Sequence, residues 1–283
     1  MADRLLLAPA LAEAQRQAPT LTLRLSRATP ADPRSPGLWT QLAPELALPA
    51  DGAGAAAALL AADLSTAPDA LTGRYVVLTP AWARAEVNGA RLLATAERLA
   101  LTPTEQRAVD TAIAEIARDF GLAPTARTEV WQLPDAAPAG AGLAPPDHAL
   151  GTDLREALTL SGWWLKLFSE FQVALHGLTA NTERGARGLP PVNTIWLHGG
   201  GPRPAPQRHW TRVHSHDPLL LGLARLAGMT PTSRAQAELI DARHDGFATA
   251  LPGFRGSLRC VSGEAWTLSR WDALRVWRRP KGR

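Results

Sequence analysis

The stretch of residues 183–204, ERGARGLPPVNTIWLHGGGPRP, constrains the fold of this chain more than any other. Pro190 and Pro191 cannot continue a helix, and a proline biases the residue before it towards extended backbone. The six residues that follow, VNTIWL, are rich in β-branched and aromatic side chains, which is typical of a short buried strand. The stretch therefore predicts the end of a helix, a break, a strand over residues 192–197 and a glycine loop.

A glycine loop after a buried strand also predicts a ligand site. Glycines let backbone N–H groups approach a ligand closely, and open α/β sheets bind ligands at the carboxyl ends of their strands. Arginines hold carboxylates and phosphates through paired hydrogen bonds. The spacing alone favours a tight structural turn, and the functional alternative is a site for a small anionic ligand. The predicted site residues are Arg184, Arg187, Asn193, His198, Gly199, Gly200 and Gly201.

Strand and helix patterns alternate along the rest of the chain. Residues 5–8, 74–79 and 129–133 are short apolar runs that predict strands. The sequence TPTE at residues 102–105 predicts the start of a helix, and residues 163–178 predict a helix that is buried on most sides. The alternation predicts an α/β fold with a largely buried central sheet and helices on both faces.

The length and composition indicate how many domains to expect. A chain of 283 residues with 46% hydrophobic residues can fill one large core. The run rich in Ala, Gly and Pro at residues 134–146 is the best candidate for a linker. We therefore expect a single α/β domain over residues 1–283, with any internal boundary in residues 134–146.

Charge and hydropathy exclude several classes of partner. A net charge of +4 spread over the chain makes nucleic acid an unexpected partner, although the run RVWRRPKGR at residues 275–283 is locally basic. No apolar run approaches the length of a bilayer span, and the first residues lack the features of a secretory signal. The single cysteine, Cys260, allows no internal disulfide. We expect a cytoplasmic protein without membrane contact, and nothing in the sequence identifies a protein partner.

One grouping could hold a metal ion. His214, His216 and Asp217 lie close together in the sequence, and side chains two apart in an extended segment point to the same side. Such ligands suit zinc or manganese, but a site needs further ligands from elsewhere in the chain. Asp217 followed by Pro218 is better explained as a turn that starts a helix. We therefore expect no cofactor, and a divalent metal only if the protein is an active enzyme.

Several segments resemble a known group of proteins. The run ERGARGLPPVNTIWLHGGGP resembles a segment of the archaeal-type, cofactor-independent phosphoglycerate mutases, and it is still more similar to the RpfE-type regulatory proteins of Gram-negative bacteria. RYVVLTPAW at residues 74–82, EVWQL at 129–133 and HDPLLLGLARLAG at 216–228 extend the resemblance over most of the chain. It implies a reduced alkaline-phosphatase-like or phosphoglycerate-mutase-like fold.

The resemblance implies a function only where the matching residues are present. Active members carry an Asp-Gly pair at the end of the first strand, which binds metal, and this chain has Ala8, Pro9 and Ala10 there. The first hypothesis is therefore a catalytically degenerate, RpfE-like regulatory protein that binds a small anion. The second is an active, metal-dependent mutase or phosphatase with His214, His216 and Asp217 among its ligands. The third is a partner-binding module that uses the basic tail, and no catalytic residue is predicted.

Overall fold

The computed structural model describes residues 4–87, 89–139, 146, 150–151, 153, 160, 162–269 and 272. The chain divides into two compact units. Unit 1 comprises Met1–Ala50 and Ala205–Arg283, and unit 2 comprises Asp51–Pro204. Where the sequence predicted one domain with any boundary in residues 134–146, the boundaries between the compact units lie at residues 50/51 and 204/205.

Unit 1 contains a seven-stranded sheet. Its strands are β1 (Leu5–Ala8), β2 (Thr29–Ala31), β8 (Arg212–His214), β9 (Thr230–Pro231), β10 (Leu239–Asp241), β11 (Gly256–Cys260) and β12 (Ala265–Leu268). The order is β2–β12–β11–β1–β10–β8–β9. The strands from β11 to β9 are parallel, whereas β12 and β2 are antiparallel to their neighbours. The carboxyl ends of the parallel strands therefore meet at one edge.

The helices of unit 1 bury this sheet. They are α1 (Leu11–Gln17), α2 (Leu21–Arg27), α3 (Leu38–Leu42), α8 (Pro218–Leu226) and α9 (Phe247–Ala250). Leu6 and Ala8 of β1 pack into a core with Leu21 of α2 and Phe247 of α9. All four residues of β1 are buried, and because successive side chains point to opposite faces, both faces of the sheet are covered at this strand.

Unit 2 is organised around one long strand. Its strands are β3 (Arg74–Glu86), β4 (Gly89–Thr95), β5 (Ala123–Pro124), β6 (Val130–Gln132) and β7 (Thr194–Pro202). Strand β3 is antiparallel to β4, β6 and β7, and β5 pairs with β6. The helices are α4 (Ala55–Ala61), α5 (Pro103–Asp119), α6 (Gly162–His176) and α7 (Thr179–Ala186). Helices α5 and α6 share a core with β3 and β7, and α4 also packs against β3 and β7.

These elements confirm the predicted α/β class, with one sheet in each unit in place of a single central sheet. The helix start at residues 102–105 is confirmed, because Thr102 and Glu105 form a reciprocal capping box. The prediction that the strand ends before Pro80 is wrong, since β3 continues to Glu86. Residues 275–283, which carry the basic run, lie outside the described residues. Among the residues that are described, no helix is long and apolar enough to cross a membrane.

Candidate functional site

The carboxyl edge of the parallel strands in unit 1 carries a group of polar side chains. Strand β10 ends at Asp241, and the neighbouring strand β8 ends at His214. Ile240 pairs with His214 across the two strands, so the residues that follow each strand lie side by side. Such an edge is where open α/β sheets bind ligands.

Four residues form a hydrogen-bonded group at this edge, which we call the edge cluster: Ser215, Asp217, Asp241 and Arg243. The guanidinium of Arg243 donates through Nε to Asp241 Oδ1 at 2.8 Å and through Nη2 to Asp241 Oδ2 at 2.9 Å. Nη2 also lies 2.9 Å from Asp217 Oδ2. One guanidinium therefore bridges two carboxylates.

Ser215 completes the edge cluster. Its hydroxyl donates to Asp241 Oδ2 at 2.7 Å and accepts a hydrogen bond from the backbone N–H of Asp217 at 3.0 Å. Asp217 is the N-cap of helix α8 and accepts from the N–H of Leu220 at 3.1 Å, which confirms its predicted role at the helix start. The carboxylates of the edge cluster are thus engaged by groups of the chain itself.

The electrostatics of the edge cluster follow from these contacts. Burial alone would raise the pKa of Asp241. The hydrogen bonds from Arg243, the positive charge of Arg243 and the hydrogen bond from the Ser215 hydroxyl outweigh burial, so the pKa of Asp241 lies below its usual value. Burial alone would lower the pKa of Arg243, and its bonds to Asp241 and Asp217 raise it instead. Both groups are therefore charged at neutral pH, although the side chain of Arg243 is only 10% exposed and that of Asp241 only 3% exposed.

The two predicted metal-ligating histidines lie beside the edge cluster. The ring centroids of His214 and His216 are 5.5 Å apart, and Nδ1 of His214 lies 3.1 Å from the backbone oxygen of Thr232. Asp217, the predicted third member of the group, is bound to Arg243. Within the described part of the chain, no three His, Cys, Asp or Glu side chains form a group that could hold a metal ion. Among the described residues, His214, His216 and Asp217 therefore do not form a group of three metal ligands.

Arg184, predicted to hold an anion, is fully buried in unit 2. Its Nε donates to the Pro190 oxygen at 2.8 Å and its Nη2 to the Leu99 oxygen at 2.8 Å. Its Nη1 lies 3.2 Å from Oε2 of Glu105. These bonds connect the end of α7, the Pro-Pro break and the start of α5, so Arg184 holds three segments together.

Arg187 meets Arg184 at the same carboxylate. It pairs with Oε1 of Glu105 and has a side chain that is 46% exposed. The hydrogen bond from the Thr102 N–H, followed by those from Arg187 and the charge of Arg184, keeps the pKa of Glu105 below its usual value despite burial. The two predicted arginines are thus brought together, but around an internal acid.

The two asparagines near the break have structural contacts. Asn193 accepts from the Ala83 N–H at 2.9 Å and donates to the Ala83 oxygen at 2.8 Å, so its side chain extends the pairing between β7 and β3. Asn181, which the sequence did not single out, bonds both the N–H and the oxygen of Val192 at 2.8 Å. Asn181 rather than Asn193 therefore fixes the chain after the Pro-Pro break.

His198 is buried within β7. One ring nitrogen, Nε2, lies 3.0 Å from the Thr79 hydroxyl, and Nδ1 has no hydrogen-bond partner among the described residues. Burial lowers the pKa of His198 to about 3, because the charged imidazolium would lose its hydration. The imidazole is therefore neutral at physiological pH and 9% exposed.

The predicted glycine loop is wrong, because Gly199, Gly200 and Gly201 lie within strand β7. Gly199 has a φ of +66°, and a Cβ there would lie 2.9 Å from the backbone nitrogen of Ala56 in α4. The absence of a side chain thus lets α4 pack directly on the strand. Gly200 and Gly201 line a cavity of about 190 Å³, whereas Arg187 lines a different one. The predicted site residues do not converge on one ligand position.

Sequence inspection missed Ser215, Asp241 and Arg243 as members of a group. The signal that was present is the sequence LIDAR at residues 239–243, a short apolar run that ends in an acid and a base. Only the pairing of β10 with β8 shows that Asp241 lies next to Ser215.

Cys260, the single cysteine, is buried in β11. Burial, with Glu264, raises the pKa of its thiol to about 12, so it is an unreactive thiol.

No protein-family model matches the chain, and no curated protein matches its sequence. Two solved structures are similar to it. One is a cofactor-independent phosphoglycerate mutase from Thermoplasma acidophilum DSM 1728, with a TM-score of 0.37 and 15% identity over 94% of this chain and 89% of that one. The other is a protein from Pyrococcus horikoshii, with a TM-score of 0.40 and 14% identity over 94% of this chain and 86% of that one.

Proposed function

We propose that this chain is a phosphoglycerate-mutase-like protein that has no turnover and acts by binding, as an RpfE-like regulatory protein. The sequence resemblance over residues 183–204 and 216–228 supports the mutase-like part. The single observation that supports the loss of turnover is the bridge that Arg243 makes between Asp217 and Asp241 at the carboxyl edge of the sheet.

Metal-dependent phosphoryl transfer needs carboxylates that are free to bind the metal ions and positions that stay open for the substrate. In the edge cluster, a guanidinium is bonded to both carboxylates. A metal ion would have to displace Arg243, and breaking a buried ion pair costs about 3–5 kcal/mol. In the edge cluster, the cation that faces both carboxylates is therefore the guanidinium of Arg243.

The only hydroxyl group in the edge cluster, that of Ser215, is not placed to act as a nucleophile. The Ser215 hydroxyl is 9% exposed and both donates and accepts a hydrogen bond within the edge cluster. A nucleophilic hydroxyl has to face the substrate with a base beside it. Strand β1 ends at Ala8 and is followed by Pro9, and neither residue has a side chain that can bind a metal.

The test is an assay of the interconversion of 2- and 3-phosphoglycerate with added manganese, cobalt or zinc. The protein is assayed beside an active cofactor-independent mutase, which shows that the conditions support turnover. We expect no activity above the background without protein. Turnover at ordinary enzyme rates that is abolished in His214→Ala would contradict the proposal and support the active, metal-dependent alternative.

A further inference from the structure

A basic cavity lies at the opposite edge of the unit 1 sheet. Gly256 of β11 pairs with Leu268 of β12, so Arg255, which precedes β11, and Ser269, which follows β12, lie at the same end. This is the amino end of β11, whereas the edge cluster lies at the carboxyl ends of β8 and β10. The basic cavity has a volume of about 360 Å³ and is lined by Thr20, Arg24, Arg27, Arg255, Ser269 and Asp272, among others.

Helix α2 supplies one wall of the basic cavity. Thr20, Arg24 and Arg27 are spaced by four and three residues, which places them on one face of the helix. The guanidinium of Arg24 donates to the backbone oxygens of Leu251 and Phe254. These bonds fix the position of Arg24 against the loop that leads to Arg255. The wall is therefore held in place by contacts within the chain.

Arginine predominates among the charged side chains that line the basic cavity, which are Arg24, Arg27, Arg255 and Asp272. Burial and then repulsion from Arg255 lower the pKa of Arg24, while Asp272 acts in the opposite direction. A positively charged group in the cavity would be repelled by these arginines, whereas an anion would be attracted to them.

The size and charge of the basic cavity point to the kind of anion. A phosphate monoester carries about −1.5 to −2 at neutral pH, which suits a cavity whose lining is rich in arginine. Arginine binds phosphate through paired hydrogen bonds, and the Thr20 hydroxyl offers a further donor. The volume suits a small molecule, and Leu23, which is 46% exposed at the same cavity, provides apolar surface for its organic part.

We propose that this basic cavity binds a small phosphate monoester, with Arg255 and Arg24 holding the phosphate group. The inference extends the proposed binding function by placing its anionic ligand in unit 1 and away from residues 183–204. Because the test measures binding and not turnover, its result does not depend on whether the edge cluster supports catalysis.

The experiment is isothermal titration calorimetry of glycerol 3-phosphate and inorganic phosphate into the wild type, Arg255→Ala and Arg208→Ala. Arg208 is an exposed arginine of unit 1 that does not line the cavity, so its variant loses the same charge elsewhere. We expect saturable binding to the wild type that weakens about tenfold or more in Arg255→Ala, the equivalent of one charge-assisted contact. Arg208→Ala should bind within about twofold of the wild type, since surface charges at a distance are screened.

Two results of these titrations would overturn the proposal, and a third concerns the further variant Arg255→Lys. One is the absence of saturable binding of either compound to the wild type. The other is an equal loss of affinity in Arg208→Ala and Arg255→Ala, which would mean that the anions respond to general surface charge. Arg255 is exposed, and Arg255→Lys serves as a second variant, because it keeps the charge and loses the paired hydrogen bonds. Its affinity should fall between those of Arg255→Ala and the wild type, and wild-type affinity in both variants would also overturn the proposal.

Discussion

Two arginines with little solvent exposure, Arg184 in unit 2 and Arg243 in unit 1, show how differently the same side chain is used. Arg184 bonds two backbone oxygens and one carboxylate. Arg243 bonds the carboxylates of Asp217 and Asp241. The first arrangement fastens chain segments together, whereas the second neutralises acids at the edge of a parallel sheet. The role of an arginine is indicated by the groups that it bonds, and not by its position in a sequence motif.

Arg184→Ala should break the first arrangement and cause the largest loss of folding stability among these substitutions. The substitution removes a fully buried side chain and leaves Glu105 without one of its two cationic partners. Removing one member of a buried ion pair costs about 3–5 kcal/mol. Urea denaturation of the variant and the wild type measures this loss.

Arg187→Ala is the matched control for that prediction, because Arg187 pairs with the same carboxylate from a side chain that is 46% exposed. Because the Arg187 end of this pair is half exposed, solvent screening should bring its contribution towards the value of about 0–1 kcal/mol for exposed pairs, below that of the fully buried Arg184. If the two variants lost equal stability, or if Arg184→Ala lost less than about 1 kcal/mol, Arg184 would not be the residue that fastens these segments.

The stability of unit 2 should fall in acid because of His198. Its folded-state pKa of about 3 lies below the usual 6.5, so the unfolded chain takes up a proton that the folded chain excludes. The stability is therefore complete above pH 6.5 and is lost as pH falls towards 3, by about 1.4 kcal/mol per pH unit. Between pH 7 and pH 5 the loss is about 2 kcal/mol.

Chemical denaturation across this pH range tests the effect of His198. The loss should be absent in His198→Gln and retained in His176→Gln, a control at an exposed histidine of the same unit. A wild-type pH profile that is unchanged in His198→Gln would show that this imidazole is not excluded from protonation.

Gly199→Ala should lower the stability of the fold by less than Arg184→Ala does. Its φ of +66° disfavours any residue with a Cβ, at a cost of about 1–2 kcal/mol, and the added atom would press on the Ala56 nitrogen. Gly185→Ala is the control, since a Cβ at Gly185 in α7 meets nothing within 4 Å and should be neutral or stabilising. Thermal unfolding distinguishes the two, and equal stability of both variants would mean that α4 does not need Gly199.

Local patterns predicted much of the fold. The capping box at Thr102 and Glu105 and the N-cap at Asp217 depend on residues three positions apart, so the sequence contains them in full. Strand β7 was shorter in the prediction than in the structure, because glycine is depleted in strands and the close packing of α4 on Gly199 is a long-range contact. The division of unit 1 between Met1–Ala50 and Ala205–Arg283 depends on the pairing of β1 with β10 and β11, which no local pattern contains.

The candidate site was harder to predict for the same reason. Arg184 and Arg187 stand near a glycine run and look available, yet their partner Glu105 is about 80 residues earlier in the chain. Ser215 and Asp241 are 26 residues apart and meet through strand pairing. Sequence patterns identify groups that can carry charge, while the fold decides whether another part of the chain has already bonded them.

Metal analysis of protein purified without chelator tests the role of Arg243 in unit 1 most directly. If Arg243 occupies the carboxylates of Asp217 and Asp241, the purified protein should contain far less than one equivalent of manganese, cobalt or zinc, and added metal should not stabilise it against heat. One equivalent or more of bound metal that is lost in Asp241→Asn would contradict the account, because it would show that the edge cluster opens to hold a metal ion.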